Sequence, residues 1–393
     1  MTKRKQQDTK ENLTLTVFES NKRCSNSGGE YFDRIPADLV IKILSKLSAK
    51  SMAKCRCVCK LLSSIIRQPN YNQLFPIKYP DPPRFIFTFL GGGMLFSYTS
   101  TQPENPDENS SLVATAHHHT DIPRDFSQIL SSVHGLVCYH RKIKNDTVFV
   151  IYNPITGQYV TLPILEAHAT INYFAIGYDP INKQFKVLCV TSVHHGTGEE
   201  FDSQHQVLTF ETGRRNLFWR KIQCRRHYYA HRYHKGICIK GVLYYAATSM
   251  KPMLGPMIVC FDVRSEKFGF ITWKPPSLIN YKGKLGSINS NDNDLVLWVL
   301  EHGQERKWSK HIYVKPLQWP EFNGIDVNFL VTSKGEAVFC PNHYDPQVPF
   351  YLYYYNLEEN IVVRVRVEVP ESQGSKRVLF HAVPNYLENM KLT

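Results

Sequence analysis

Helical periodicity is concentrated in one stretch of the chain, residues 31–76. The first part of this stretch carries apolar residues three and four positions apart, a spacing that places them along one stripe of an α-helix. Pro36 suits the first helical turn because its missing N–H costs nothing there, and Asp38 favours the positive end of the helix dipole. The stripe consists of Ile35, Leu39, Val40, Ile43, Leu44 and Leu47.

A second apolar run follows a short break at residues 48–51 and continues to Ile66, before Pro69 ends it. The pattern predicts three short helices within residues 31–76. A unit of this size cannot hide all of these apolar faces on itself. The six residues of the first stripe represent on the order of 10 kcal/mol of burial, so either the rest of the chain or another protein should cover them.

The pattern changes after residue 77, where short runs rich in Val, Ile, Tyr, Phe and Trp alternate with Gly, Asn, Asp and Pro. Similar units return about every 45–50 residues, which is the period of propeller blades. About six such units fit into residues 78–393. The sequence therefore predicts an α+β multidomain protein in which three helices precede an all-β domain. That domain is expected to be a β-propeller, with a β-sandwich as the alternative.

Three parts of the chain follow from these patterns. Residues 1–30 are polar and are expected to form a flexible tail. Residues 31–76 form the helical unit, and residues 77–393 form the β domain. Within the β domain, residues 101–121 are polar and rich in Pro and Asn, so they are expected to form a long surface loop.

The composition gives an expectation for the subcellular location of the protein. Hydrophobic residues make up 42% of the chain, but no apolar run is long enough to span a membrane, and the N-terminus lacks a secretory signal. Ten cysteines are scattered without a repeating framework, as is typical of free thiols in a reducing compartment. The expected location is the nucleus or the cytoplasm or both, with no membrane partner.

Charge adds an indication about partners. The chain has a formal net charge of +13, and residues 31–76 contain eight basic and two acidic residues. A basic surface on the helical unit would speed encounter with an acidic partner, although it is equally compatible with a plain solvated surface. No nucleic-acid-binding motif accompanies this charge, so no nucleic-acid partner is expected.

No catalytic, metal or cofactor site is predicted. The sequence lacks a G-x-S-x-G elbow, a phosphate-binding loop and a dinucleotide fingerprint. Cys55, Cys57 and Cys59 alternate along a helix, so the three thiols cannot converge on one metal ion. His227 and His231, with His234, could converge only on a helix, and the surrounding pattern predicts strands and loops.

The helical unit resembles a known family. The order I-P-x-D-L-V-x-x-I-L, L-x-A-K-S-M and R-C-V-C-K over residues 35–60 is similar to the F-box. Lys42, Ser48, Cys55 and Leu62 depart from residues common at those positions. The resemblance implies docking on a Skp-type adaptor and, through it, association with cullin and RING subunits of a ubiquitin ligase. The implied adaptor contacts are Ile35, Pro36, Leu39, Val40, Ile43, Leu44 and Leu47, with Val58 and Leu62 in support.

The β domain carries a second resemblance. S-x-H-G-L-V-C, N-P-I-T-G, G-Y-D-P, W-R-K-I, C-I-K-G-V-L-Y-Y and F-D-V-R-S-E-K-F occur in order between residues 132 and 367. They are similar to the plant F-box-associated domain, which is related to kelch-like propellers. Together the two resemblances imply a non-catalytic subunit that selects a target protein for ubiquitination and degradation. The alternative is a binding or scaffold protein that works without a ligase. The sequence assigns no target and no target-contact residue.

Overall fold

The structure is a computed structural model. It describes residues 35–386, apart from residues 48, 69–73, 76–81, 92–93, 122–125, 144–145, 166–169, 195–200, 211–216, 232–235, 251–254, 273–276, 302–306, 321–326, 346 and 370–377. The tail predicted for residues 1–30 lies outside the described residues.

Helices occupy the N-terminal part of the described chain: α1 (Ala37–Leu44), α2 (Ala49–Cys55) and α3 (Lys60–Ile66). Asp38 lies in the first turn of α1, as the sequence predicts, whereas Pro36 precedes that turn as the N-cap residue in an extended conformation. Cys59 begins α3, where its Sγ accepts a hydrogen bond from the backbone N–H of Leu62 at 3.5 Å. That cysteine therefore serves as an N-cap, a role usually filled by Ser, Thr, Asp or Asn.

Strands account for the rest of the regular structure. In chain order they are β1 (Arg84–Gly91), β2 (Met94–Thr101), β3 (Ser111–Val113), β4 (Thr115–Asp121), β5 (Phe126–Val133), β6 (Leu136–Ile143), β7 (Asp146–Tyr152), β8 (Tyr159–Thr161), β9 (Thr170–Asp179), β10 (Gln184–His194), β11 (Phe201–Phe210), β12 (Arg220–Ile222), β13 (Tyr228–Ala230), β14 (Ile237–Ile239), β15 (Val242–Ser249), β16 (Pro256–Asp262), β17 (Phe268–Thr272), β18 (Leu278–Tyr281), β19 (Lys284–Ser290), β20 (Asp294–Leu300), β21 (Trp308–Val314), β22 (Val327–Val331), β23 (Ala337–Pro341), β24 (His343–Tyr344), β25 (Tyr351–Asn356), β26 (Ile361–Glu368) and β27 (Val378–Val383).

Among the described residues these strands form six sheets, which are the blades of a β-propeller. Blade 1 contains β5–β8, blade 2 β9–β12, blade 3 β13–β17 and blade 4 β18–β21. Blade 5 contains β22, β23, β25 and β26 with β3 at its outer edge, and blade 6 contains β24, β27, β1, β2 and β4. The predicted propeller is therefore present, and the alternative β-sandwich is not.

The ring is closed by strands from the two ends of the β domain. In blade 6, β27 pairs antiparallel with β1, from Ile86 opposite Val383 to Leu90 opposite Leu379. Among the described strands, β1 and β27 each have a partner on both sides, so neither presents an unpaired edge. Closing an antiparallel fold in this way avoids edge-to-edge association.

The prediction of a surface loop over residues 101–121 was wrong in part. This segment contains β3 and β4, and β3 pairs in parallel with β26 of blade 5 while β4 pairs with β2 of blade 6. In β3 only Leu112 is buried, between the exposed Ser111 and Val113. A strand at the edge of a blade needs few apolar residues, so a polar composition concealed it.

An apolar cluster fills every junction between neighbouring blades. The largest side chains at these junctions are aromatic: Phe149 and Phe174 stack with ring centroids 3.5 Å apart between blades 1 and 2, and Tyr173 and Tyr245 stack at 4.2 Å between blades 2 and 3. Five junctions hold clusters with several residues from each blade. The sixth cluster lies between blades 6 and 1, and among the described residues blade 6 contributes only Leu95 to it.

Candidate docking face

The inner side of the helical unit belongs to a core that it shares with the propeller. Val40, Leu44 and Leu62 are among the buried helical residues of this core. They pack in one cluster with Ile86 of β1, with Ile155 in the turn after β7, and with Tyr386 after β27. The helices therefore lie over the junction of blades 6 and 1, where Leu95 is the single described residue of blade 6 in the inter-blade cluster.

Tyr386 fixes this arrangement with polar contacts as well. Its hydroxyl donates a hydrogen bond to the carbonyl oxygen of Gly135 in blade 1 at 3.1 Å, and its backbone N–H donates to the carbonyl of Arg84 at 2.8 Å. One buried residue thus joins the helical unit, blade 6 and blade 1. Because all three meet in one apolar cluster, the helices hold a defined orientation on the ring.

The outer side of the helical unit exposes apolar side chains. The exposed fraction is 46% for Leu39, 56% for Ile43, 37% for Leu47 and 60% for Val58, whereas Leu44 is 2% exposed. Leu39 and Ile43 are four residues apart and share a face of α1, and Leu47 follows four residues later. Pro36 is exposed at the start of the same helix. We call Pro36, Leu39, Ile43, Leu47 and Val58 the docking face.

The nine residues predicted to contact an adaptor are therefore divided by the fold. Five form the docking face, Ile35 is half-buried, and Val40, Leu44 and Leu62 lie in the core shared with the propeller. Adaptor binding by any of them remains a prediction. The apolar spacing in the sequence does not separate the inner residues from the outer ones. Apolar residues at steps of three and four cover two adjacent faces of a helix, and only one of these faces packs against the propeller.

The helical unit that carries the docking face also exposes basic side chains. Lys42 and Lys46 are exposed on and after α1, and Lys54 is exposed on α2, while Asp38 is an exposed acidic residue on α1. A surface with both apolar and basic side chains matches a partner with an apolar groove bordered by carboxylates.

No spacing in the sequence marks the surface that receives the helices. Ile155 lies in the N-P-I-T-G turn, where the Asn153 side chain accepts a hydrogen bond from the Ile155 backbone N–H at 3.0 Å. Tyr386 lies more than 200 residues away in the chain. A single buried residue in a turn has no periodic neighbours, so spacing alone does not mark it as part of a core.

Histidines and cysteines are spread over the described part of the chain. No group of three or more His, Cys, Asp or Glu residues there could hold a metal ion. His231 Nε2 lies 2.8 Å from the Thr248 hydroxyl, and His234 lies outside the described residues. Within the described residues, no helix is both long and apolar enough to cross a membrane.

Comparison with known proteins gives two family matches. Residues 32–74 match a model described as the F-box domain, and residues 84–387 match one described as the F-box associated beta propeller domain. A relative in Arabidopsis thaliana, whose name assigns it to the F-box proteins, is 44% identical over 420 residues, which cover 100% of both chains. The F-box protein DOR of Arabidopsis thaliana is 40% identical over 360 residues, or 86% of this chain and 89% of that protein.

Solved structures are more distant. A chain from a crystal structure of a nidogen/laminin complex aligns with a TM-score of 0.41 at 10% identity, over 77% of this chain and 99% of that chain. Aleuria aurantia lectin aligns with a TM-score of 0.39 at 10% identity, over 77% of this chain and 100% of that chain.

Proposed function

The chain belongs to the plant F-box proteins that carry an F-box-associated β-propeller, and from that premise we propose that it is the substrate-recognition subunit of a Skp-cullin-F-box ubiquitin ligase. The F-box would bind a Skp-type adaptor, and the adaptor would connect it to the cullin and RING subunits. The propeller would bind the target protein.

The observation that carries the proposal is the docking face. The helical unit already buries its inner side against the ring, yet Leu39, Ile43 and Val58 remain about half exposed or more on its outer side. Fully burying a side chain such as Leu or Ile stabilises a complex by about 1.5–3 kcal/mol. Exposed apolar side chains collected on one small unit are typical of a surface that another protein covers.

The shared core suggests how such a subunit would act without catalytic groups. A rigidly attached propeller holds its target at a fixed orientation relative to the adaptor. Holding a target lysine near the charged conjugating enzyme raises its effective concentration, which converts a bimolecular encounter into a nearly unimolecular one.

The proposal is tested by measuring adaptor affinity of the full chain by isothermal titration calorimetry, with Ile43→Asp as the variant. Ile43 is 56% exposed, so the substitution leaves the core of the free protein intact. In the complex it would place a carboxylate in an apolar contact, and we expect a loss of about 2–3 kcal/mol, or at least tenfold in affinity. Leu44→Asp is unsuitable because Leu44 lies in the core and its substitution would report on folding.

Ile181→Asp is the matched control. Ile181 is 64% exposed on the turn between β9 and β10 of blade 2, so it receives the same chemical change on another part of the surface. We expect this control to bind the adaptor like the unmodified chain. Equal affinities for the Ile43 and Ile181 variants would refute the docking face, and absence of adaptor binding by the unmodified chain would refute the receptor function.

A further inference from the structure

A cavity of about 890 Å³ lies at the axis of the ring. Its wall is built from the innermost strands and turns of blades 1, 3, 4, 5 and 6. Tyr386 and Val383, which also pack against the helical unit, line one side of it. Blades 3 and 4 lie across the ring from that side. The cavity and the helical unit are therefore neighbours on the molecule.

The described lining of the cavity combines apolar side chains with polar ones and contains no acidic group. No Asp or Glu occurs among the described residues that line it, whereas Lys282, Asn280, Asn328 and Ser333 do. The amide Nδ2 of Asn328 is buried and has no hydrogen-bond partner among the described residues. A lining with hydrogen-bond donors and a cation, and without carboxylates, favours an anionic ligand.

Three exposed lysines stand on the turns that follow the inner strands of consecutive blades. They are Lys240 on blade 3, Lys282 on blade 4 and Lys334 on blade 5. Lys334 donates a hydrogen bond to the backbone carbonyl of Glu104. None of the three forms an ion pair with another described residue. Their charges are therefore not neutralised by a bound carboxylate of the described chain.

Of these lysines, Lys282 lines the cavity, and Lys240 and Lys334 lie on the corresponding turns of the neighbouring blades. Lys240 and Lys282 both have positive φ and are each followed by a glycine of positive φ, the two-residue hairpin turn that favours glycine at its second position. A side chain at Gly335 would come within 2.3 Å of Lys282 Cε, so glycine at that position lets the lysine stem cross onto blade 5. The lysine of one blade thus reaches the turn of the next.

The innermost strands add a second recognition element. Among the described strands, β18 hydrogen-bonds only with β19, and β22 only with β23, so each presents its other edge towards the axis. A free strand edge offers both backbone N–H donors and C=O acceptors. An extended polypeptide can pair with both kinds of group, whereas a small anion can only accept hydrogen bonds from the N–H groups. This feature favours a peptide segment as the occupant of the cavity.

We propose that the axial cavity and its Lys240, Lys282 and Lys334 rim bind an acidic peptide segment. This inference deepens the proposed receptor function and rests on it for the source of the segment, which would be the target protein. The acidic side chains would contact the lysine rim, and the segment's backbone would enter the cavity beside the inner strands of blades 4 and 5.

The test uses the full chain and a fluorescein-labelled glutamate-rich peptide, with binding followed by fluorescence anisotropy. A second peptide has every Glu replaced by Gln. We expect the first to bind more tightly than the second, and added salt to weaken it. The triple variant Lys240→Gln, Lys282→Gln, Lys334→Gln should bind the glutamate-rich peptide about tenfold more weakly, since it loses three exposed charge pairs that are each individually weak.

The matched control replaces three other exposed lysines, Lys221, Lys267 and Lys310, with Gln. It removes the same net charge from positions on or beside the outer strands, and we expect wild-type peptide affinity. Equal weakening in both triple variants, equal binding of the Glu and Gln peptides, or no binding by the unmodified chain would each overturn the proposal. Adaptor affinity is measured on the same preparations, because its loss would contradict the receptor function and leave the peptide site standing.

Discussion

A chain of buried polar side chains crosses the junction of blades 2 and 3. His205 Nε2 lies 2.7 Å from the Tyr228 hydroxyl, which lies 2.5 Å from the Tyr245 hydroxyl. All three residues are buried. Burial, with a smaller contribution from His227, lowers the pKa of His205 to about 4. The imidazole is therefore neutral at physiological pH and takes part in hydrogen bonds that a charged ring would disturb.

This lowered pKa predicts a pH-dependent stability. Between about pH 6.5 and 4 the unfolded chain protonates His205 and the folded chain does not, so stability is lost as the pH falls through that window. The shift corresponds to on the order of 3 kcal/mol. Urea unfolding followed by fluorescence should show the fall, and His205→Gln should reduce its slope by about one proton.

His311→Gln is the comparison for that measurement, because His311 is an exposed histidine on β21. We expect the free energy of unfolding of this variant to depend on pH as steeply as that of the unmodified chain. The assignment of the pH effect to His205 fails if both variants lose the same part of the slope.

At the scale of single elements, the six-residue strand β27 contributes both to sheet pairing and to aromatic packing in the core. It pairs with β1 and β24 and supplies Phe380, which contacts the rings of Phe87, Phe89 and Phe350. Without it, β1 would expose an edge at the innermost part of blade 6, and the cluster between blades 5 and 6 would lose a central aromatic side chain.

Truncation at the C-terminus tests this role. A chain that ends at residue 369 lacks β27, and we expect it to lose the cooperative thermal transition and the near-ultraviolet circular dichroism of packed aromatic residues. A chain that ends at residue 386 retains β27 and Tyr386 and should melt like the full chain. A chain ending at 369 with an unchanged midpoint would show that ring closure does not depend on β27.

At the scale of the whole molecule, the helical unit is part of the ring's stability. The junction of blades 6 and 1 has a small cluster of its own, and the helices add a larger one that contains Ile86, Ile155 and Tyr386. Two domains joined only by a linker would unfold independently, whereas a shared core couples them. The F-box and the propeller should therefore unfold together.

Differential scanning calorimetry tests the coupling. We expect one transition for the full chain. Deleting residues 1–76 should lower its midpoint, because exposing the three ring residues that face the helices costs on the order of 5 kcal/mol. The Ile43→Asp variant should keep the full-chain midpoint, since Ile43 is exposed. Two separate transitions in the full chain would contradict a shared core.

The sequence by itself determined the order of the parts and the type of each element. Steps of three and four between Leu39, Ile43 and Leu47 indicate a helix, because that spacing matches 3.6 residues per turn. The recurrence of short strands and turns predicts a propeller, because each blade is one local unit repeated along the chain. Both signals are local, and a linear sequence records local periodicity directly.

Only the tertiary structure decided which side of each element faces inward. Val40 and Leu39 are adjacent in sequence and both apolar, yet Val40 is buried against the ring and Leu39 faces outward. The parallel pairing of β3 with β26, the assembly of the cavity lining from five blades and the place of Tyr386 also depend on segments distant in sequence. The physical reason is that burial results from contacts between remote segments, and no spacing within one segment specifies its partner.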